Sequence, residues 1–347
     1  MGLKGLVVVP DATAPQRGPI RPFAAHIANR PIICHVVHAL ASAGVRDVGV
    51  VAPVALIADV RRSLEAEPEM SVDELSYLSP TEGADLRGAL LAAEDFVGDD
   101  ACIAHPADGL VSQDLDAFVE ALTIGAVNLL LLLHRSAERR DWLEPAVHRL
   151  LRINEIDRTR SRLALTGVCL LGPGALRRTS QRLTNTPHRR GLAEIAWSCA
   201  SDTGTVEAAV VPGWRRYAGA PGALLELNRI AAPREHSNPA DNRIEGPVVI
   251  HPTAEVEASV ILGPSIVGAQ ARISSSYIGP YTSIGARAEI DSAEIVRSIV
   301  GEEARIMHVG GRIEESTIGR SASIFRDLGL PRALRLHVGE DVQLALT

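Results

Sequence analysis

Leu262-Gly263, Val267-Gly268, Ile278-Gly279, Ile284-Gly285, Val300-Gly301 and Ile318-Gly319 repeat one small unit, an aliphatic residue followed by glycine. Around them aliphatic residues return every five or six positions, at Ile250, Val256, Leu262, Val267, Ile273, Ile278, Ile284, Ile290 and Ile295. Corresponding dipeptides recur after roughly 17 residues, about three hexads per coil, which is the period of a β-helix. A single hexad buries nothing. Stacked coils bury a column of aliphatic side chains, and Ala, Ser and Gly suit the tight corners. The reading places a parallel β-helix of hexapeptide repeats at residues 244–324.

Before it, residues 232–243 carry Pro233, Pro239 and several polar residues and read as a linker. After it, residues 325–347 read as a tail or as a cap over the open edge of the last coil. Residues 1–231 form the other unit. Residues 4–9 are apolar on both faces and end at Pro10, as in a buried parallel strand. Ile32, Ile33, Val36, Val37 and Leu40 have helical spacing, and Gly44 marks the helix end. Further strands are expected at 47–54, 75–78, 101–104, 126–133, 163–171 and 205–211. Helices are expected at 55–65, 85–96, 114–122, 191–201 and 220–231, the last with Leu224, Leu225 and Leu227 turned inward. This alternation predicts βαβ units, an α/β domain with a doubly wound, mostly parallel sheet.

Composition narrows the function classes. Hydrophobic residues make up 46% and aromatic residues 3%, so the core is aliphatic. A net charge of −7 argues against a general nucleic-acid surface. The local clusters Arg135, Arg139, Arg140 and His188, Arg189, Arg190 read as solvated surface. Cys34, Cys102, Cys169 and Cys199 show no CxxC spacing and read as reduced, buried small hydrophobes. No signal peptide is read, and the longest apolar run, 126–133, is too short for a membrane span. A cytoplasmic protein without membrane or nucleic-acid partners is expected.

Several segments together resemble the sugar-1-phosphate nucleotidyltransferases, above all long-form glucose-1-phosphate thymidylyltransferases. Lys4-Gly5-Leu6-Val7-Val8-Val9 is similar to the family's opening strand, and Ile27-Ala28-Asn29-Arg30-Pro31-Ile32 to its "VANKPI" segment. Ala43-Gly44-Val45-Arg46-Asp47-Val48 resembles the following helix-to-strand step, and Glu94-Asp95-Phe96-Val97-Gly98-Asp99 its "RDFLGD". Gly213-Trp214 with Leu224-Leu225-Glu226-Leu227-Asn228-Arg229 resembles the last elements of the catalytic domain. The resemblance implies a Rossmann-like, GT-A-like nucleotidyltransferase domain followed by a left-handed β-helix. It also implies attack of a sugar phosphate oxygen on the α-phosphorus of a nucleoside triphosphate, with Mg²⁺ between the phosphates and pyrophosphate leaving.

The chain departs from that pattern where the chemistry lies. The family's "GGxGTRLRP" loop becomes a segment with Pro10 and Asp11 in place of the paired glycines. Pro10 donates no N–H, and the Asp11 carboxylate repels a triphosphate. Arg17 or Arg21 is a stand-in for the loop arginine. The "RPK" lysine falls near Pro22 or Phe23, and its loss removes several kcal/mol of electrostatic stabilisation. Asp108, in His105-Pro106-Ala107-Asp108-Gly109-Leu110, matches the first metal aspartate, the candidate Mg²⁺ ligand, while Tyr217 stands in place of the second. The sugar lysine falls near Glu155. Gly167 matches the family's "VGVY" glycine, and Glu194 is the acid left from "GELEITD".

Two readings follow. In the first, coordinated loss of charged groups makes this a catalytically dead or impaired nucleotidyltransferase-like protein. It then serves as a binding, regulatory or scaffolding subunit, as a homo-oligomer or a hetero-oligomer with an active paralogue. In the second, a rebuilt site remains active, with Asp11, Arg17, Arg21 and Arg87 holding nucleotide and phosphate, Asp108 holding Mg²⁺, and Gly167 and Glu194 holding the sugar. A hexapeptide-repeat acyltransferase using His251 or His308 as base is a third, outlying reading. Each residue also has a plain structural alternative: Asp108 as a turn former before Gly109, His105 as a hydrogen-bonded loop histidine, Trp197 and Trp214 as core.

Overall fold

The computed structural model describes residues 2–10, 21–65, 67, 71–80, 86–124, 127–136, 152–153, 163–185, 195–196, 199, 205–233 and 243–326. An eight-stranded sheet runs in the order Glu74–Leu78, Asp47–Val51, Leu3–Val8, Ala101–Pro106, Leu163–Leu171, Val127–Arg135, Thr205–Val210, Arg152–Ile153. Neighbours pair in parallel except around Leu163–Leu171, which is antiparallel to both strands beside it. The doubly wound, mostly parallel sheet is the expected one.

Its strands are aliphatic throughout because both faces are covered. Leu130 and Leu132 join Val7 in the core on one face, under the helices Ile32–Ser42 and Val54–Glu65. Leu129, Leu131 and Leu133 join Leu6 and Val8 on the other, under Leu86–Ala92 and Ala175–Asn185. The helix expected at 85–96 is two pieces, Leu86–Ala92 and Glu94–Val97, divided at Ala93. The helix Ala175–Asn185 was not anticipated, because its sequence is polar and only Leu176 and Leu183 mark the buried side. Of the helix expected at 191–201, only residues 195, 196 and 199 are described, and all three are buried. In Pro221–Ala231, Leu227 is fully buried while Leu224 and Leu225 are partly so.

The β-helix is three five-stranded parallel sheets, from Arg243–Glu245 to Ser323–Phe325. Each sheet contributes one aliphatic ladder to the interior, with Ile324 of the last coil left exposed at the open end. Ile244, Ile261, Ile278, Ile295 and Ile313 pair in turn, as do Ile250, Val267, Ile284, Val300 and Ile318. The third ladder runs Val256, Ile273, Ile290, Ile306, Ile324. The inward residue of the second coil is Ile261, fully buried, and not the expected Leu262. The aliphatic-glycine repeat has a steric cause. A Cβ on Gly268, Gly285 or Gly301 would lie 2.6–2.7 Å from a backbone nitrogen of the next coil, so only glycine fits that corner.

The two units are joined by polar contacts around one side chain. Asn228, 2% exposed, accepts from the Ala28 amide at 2.8 Å and donates from Nδ2 to the Tyr281 carbonyl at 3.1 Å. The Asn29 side chain donates to the Ile284 carbonyl at 2.7 Å, and Ile299 of the β-helix packs into the core of the first unit. Most of residues 232–243, read as a linker, and all but the start of 325–347, read as a tail or cap, lie outside the described residues. Among the described residues no helix is long and apolar enough to cross a membrane.

Candidate functional site

Strand Ala101–Pro106 ends at the carboxyl edge of the sheet, where open α/β sheets place ligands. The chain turns through Ala107 and Asp108 and starts a second strand, Gly109–Val111. This pairs antiparallel with Trp214–Arg216, with Leu110 opposite Arg215 and Gly109 opposite Arg216. The ribbon depends on Gly109, since a Cβ there would lie 2.5 Å from the Trp214 ring and 2.8 Å from the Arg215 carbonyl oxygen. At its end the Tyr217 amide donates to the Asp108 carbonyl at 2.8 Å.

Asp108 is 3% exposed. Its two carboxylate oxygens accept from Arg216 Nε at 2.9 and 2.8 Å. Burial pushes the Asp108 carboxyl above its usual range, and the guanidinium pulls it partly back. The Arg216 side chain itself is half exposed, at 51%. The position that the resemblance gives to a second metal aspartate thus carries the Tyr217 ring, and its neighbour Arg216 brings a fixed positive charge onto Asp108.

Beside Asp108, His105 is buried, and its Nδ1 lies 2.8 Å from the Pro106 carbonyl oxygen. Burial lowers its pKa to about 4, so the ring is neutral near pH 7 and donates this hydrogen bond. Its ring meets Trp214 edge-on at 5.9 Å. His105 therefore matches its structural alternative, on a strand end and not on a loop. Trp214 is core, as read. Gly167 has φ +86° at a register break in Leu163–Leu171, where a Cβ would stand 2.8 Å from Pro106 Cγ. It borders the segment that carries Asp108.

The other candidates are not gathered here. Arg21 precedes the short turn Pro22–Ala24, and its carbonyl accepts from the Ala24 amide. Arg87 Nη2 donates to the Leu183 carbonyl at 2.7 Å, tying two helices on one face of the sheet. Phe23, near the place of the phosphate lysine, is 3% exposed and belongs to the core. Asp11, Arg17, Glu155, Glu194 and Trp197 lie outside the described residues. His251 binds Thr253 and His308 faces Asp291 at 3.4 Å, on exposed parts of the β-helix. The four cysteines are buried, and none is in a disulfide. Burial raises the thiols of Cys34 and Cys169 to about 12, which leaves them unreactive.

The donor set around Asp108 does not fit Mg²⁺. A divalent cation of this kind needs several oxygen ligands, whereas both oxygens of Asp108 are engaged by a guanidinium. Among the described residues no group of three or more His, Cys, Asp or Glu side chains converges. What reasoning from sequence missed is Arg216, whose pairing with Asp108 spans 108 residues and leaves no local signal.

No protein-family model matches the chain. It is 30% identical over 328 residues to a glucose-1-phosphate thymidylyltransferase of Streptomyces griseus, covering 90% of each chain. It is 28% identical over 335 residues to the low-salt glycan biosynthesis nucleotidyltransferase Agl11 of Haloferax volcanii, covering 92% of each. A glucose-1-phosphate thymidylyltransferase of Streptomyces antibioticus is 30% identical over 334 residues, again covering 90% of each. Among solved structures, a putative glucose-1-phosphate thymidylyltransferase of Bacillus anthracis, in complex with a sucrose, superposes with a TM-score of 0.54 at 19% identity. That match covers 68% of this chain and 98% of the other, and it supports the fold.

Proposed function

The chain belongs to the sugar-1-phosphate nucleotidyltransferase family, and from that premise we propose that it is a catalytically silent or strongly impaired member that works as a binding, regulatory or scaffolding subunit. The observation that carries this reading is the Arg216 guanidinium seated on both oxygens of Asp108. An internal cation holds the one retained metal carboxylate, so the chain satisfies in itself the charge that a metal would satisfy. The buried Phe23 and the Tyr217 substitution support the same reading, because each removes a charge that phosphoryl transfer uses. A nucleotide or sugar phosphate is the ligand class, through backbone contacts at Gly167 and the sheet edge. The β-helix supplies regular flat faces for a homo-oligomer or for a hetero-oligomer with an active paralogue.

The half-exposed Arg216 side chain favours a second reading, an active enzyme in which substrate draws Arg216 off Asp108 and frees it. A pyrophosphate-release assay with nucleoside triphosphates, sugar 1-phosphates and Mg²⁺ separates the two. The silent-subunit reading expects no release above background. Turnover that disappears in Asp108→Ala would establish the active reading in its place.

A further inference from the structure

We propose that Arg216 takes the place of a divalent cation in this chain, so that the carboxyl edge of the sheet holds a nucleoside diphosphate sugar without metal. The inference rests on the silent-subunit reading for its ligand class and adds how the ligand is held. The resemblance implies Mg²⁺ between carboxylates and phosphates, and the donor set around Asp108 does not fit that ion. A guanidinium already engages both oxygens of Asp108, and it is oriented to serve a ligand of its own.

Arg216 reaches Asp108 through Nε alone. Both carboxylate oxygens accept from that atom, and among the described residues the terminal nitrogens Nη1 and Nη2 have no hydrogen-bond partner. The Asp108 side chain is 4% exposed and that of Arg216 51%. The guanidinium is thus pinned at its inner edge by a buried carboxylate and open to solvent at its outer edge. Pinning removes side-chain freedom before a ligand arrives, and the planar fork matches two oxygens of one phosphate. The ribbon fixes the backbone beneath. Trp214, two residues earlier on the same face, is buried and meets the His105 ring edge-on. Arg215 leaves the opposite face, and its Nη1 donates to the Trp214 carbonyl at 3.1 Å. The ribbon therefore gives Asp108 one cation and not two.

Charge selects the ligand. Asp108 and Arg216 cancel, so an arriving phosphate meets a donor fork with no excess positive charge behind it. A nucleoside diphosphate sugar is esterified at both ends and carries about one negative charge on each phosphorus. A triphosphate ends in a group of about two charges. A metal ordinarily screens that charge, and here the oxygens that would hold one are engaged by Nε. The pair therefore favours the doubly esterified diphosphate over the triphosphate.

The test is isothermal titration of the full chain with dTDP-glucose, UDP-glucose, ADP-glucose and GDP-mannose, each in EDTA and in Mg²⁺. The triphosphate of the base that binds best follows under the same conditions. A diphosphate sugar is expected to bind in EDTA, about 10-fold or more tighter than the metal-free triphosphate, and Mg²⁺ should tighten it by less than about 3-fold. Arg216→Gln alone strands a buried carboxylate, so Asp108→Asn serves as the background. Its side-chain oxygen still accepts from Nε and its lost charge no longer opposes the ligand, so affinity should hold or rise. Adding Arg216→Gln to Asp108→Asn is expected to weaken binding about 10-fold or more, with urea midpoints confirming that both variants fold. Absence of binding by all four sugars, a larger gain from Mg²⁺, or equal binding of the metal-free triphosphate overturns the inference. So does a fall in Asp108→Asn, or indifference to Arg216, and each leaves the silent-subunit reading standing. Pyrophosphate release from triphosphate and sugar 1-phosphate in Mg²⁺ overturns that reading instead.

Discussion

The Ser283 hydroxyl donates to the Asn228 carboxamide oxygen at 2.5 Å, across the boundary between the sheet domain and the β-helix. The same oxygen accepts from the Ala28 amide, and the carboxamide nitrogen donates to Tyr281. Asn228→Ala leaves buried partners on both sides unsatisfied, and a cost of about 2–3 kcal/mol is expected. Asn228→Asp keeps the acceptor but loses the donor and buries a charge, so it should cost at least as much. Calorimetric unfolding checks both, and a single transition in the parent that divides into two in the variants would locate the loss at the joint.

Removing the two partners of the Asp108–Arg216 pair should have unequal effects. Arg216→Ala strands a buried carboxylate and is expected to destabilise by about 3 kcal/mol. Asp108→Asn leaves a half-exposed arginine that water solvates, so its cost should stay below about 1.5 kcal/mol. Urea unfolding at pH 7 gives both values. A larger loss in Asp108→Asn than in Arg216→Ala would contradict the geometry.

Acid should weaken the fold in a defined window. His105 is buried and His35, whose Nε2 lies 2.8 Å from the Ile27 carbonyl oxygen, is partly buried; desolvation lowers both pKa values to about 4. Their contribution is present above the unfolded value of 6.5 and is lost as the pH falls towards 4, because the unfolded chain takes up protons that the native state refuses. Each histidine accounts for about 3 kcal/mol across the window. His105→Gln should flatten the pH dependence of the urea midpoint between pH 6.5 and 4 relative to the parent. An unchanged slope would show that His105 does not titrate this way.

Gly167→Ala should destabilise by about 1–3 kcal/mol, since a side chain at φ +86° is strained and meets Pro106. The displacement would pass along Pro106 and Ala107 to Asp108. Thermal unfolding measures the loss, and the chemical shift of a ¹³C-labelled Asp108 carboxylate measures the displacement.

Legibility in the sequence followed the range of the interactions. The β-helix could be read because each coil repeats its neighbour, and between Ile250 and Ile295 the ladder residues are the expected ones except that Ile261 takes the place of Leu262. The period is less regular than the 17 residues expected. Ile290 pairs with Ile306 after 16 residues and Ile295 with Ile313 after 18, and the neighbouring ladders absorb the same changes. Buried strands such as Val127–Arg135 were visible as aliphatic runs. Ala175–Asn185 was not, because a helix docked by Leu176 and Leu183 alone carries too few apolar residues to show its period. The ribbon joining Gly109–Val111 to Trp214–Arg216 pairs residues about a hundred positions apart. Asp108 could be singled out by its resemblance to a known motif, but its partner Arg216 emerges only from the folded chain.

The turn at Ala28 and Asn29 has a consequence for how chains of this kind are recognised. Both residues adopt positive φ between His26–Ile27 and Arg30–Pro31, and both grip elements far away in the chain. The segment that most resembles an enzyme signature is here occupied with carpentry. A fingerprint drawn from it would sort proteins by how their halves are fastened, and would collect working enzymes and idle ones alike.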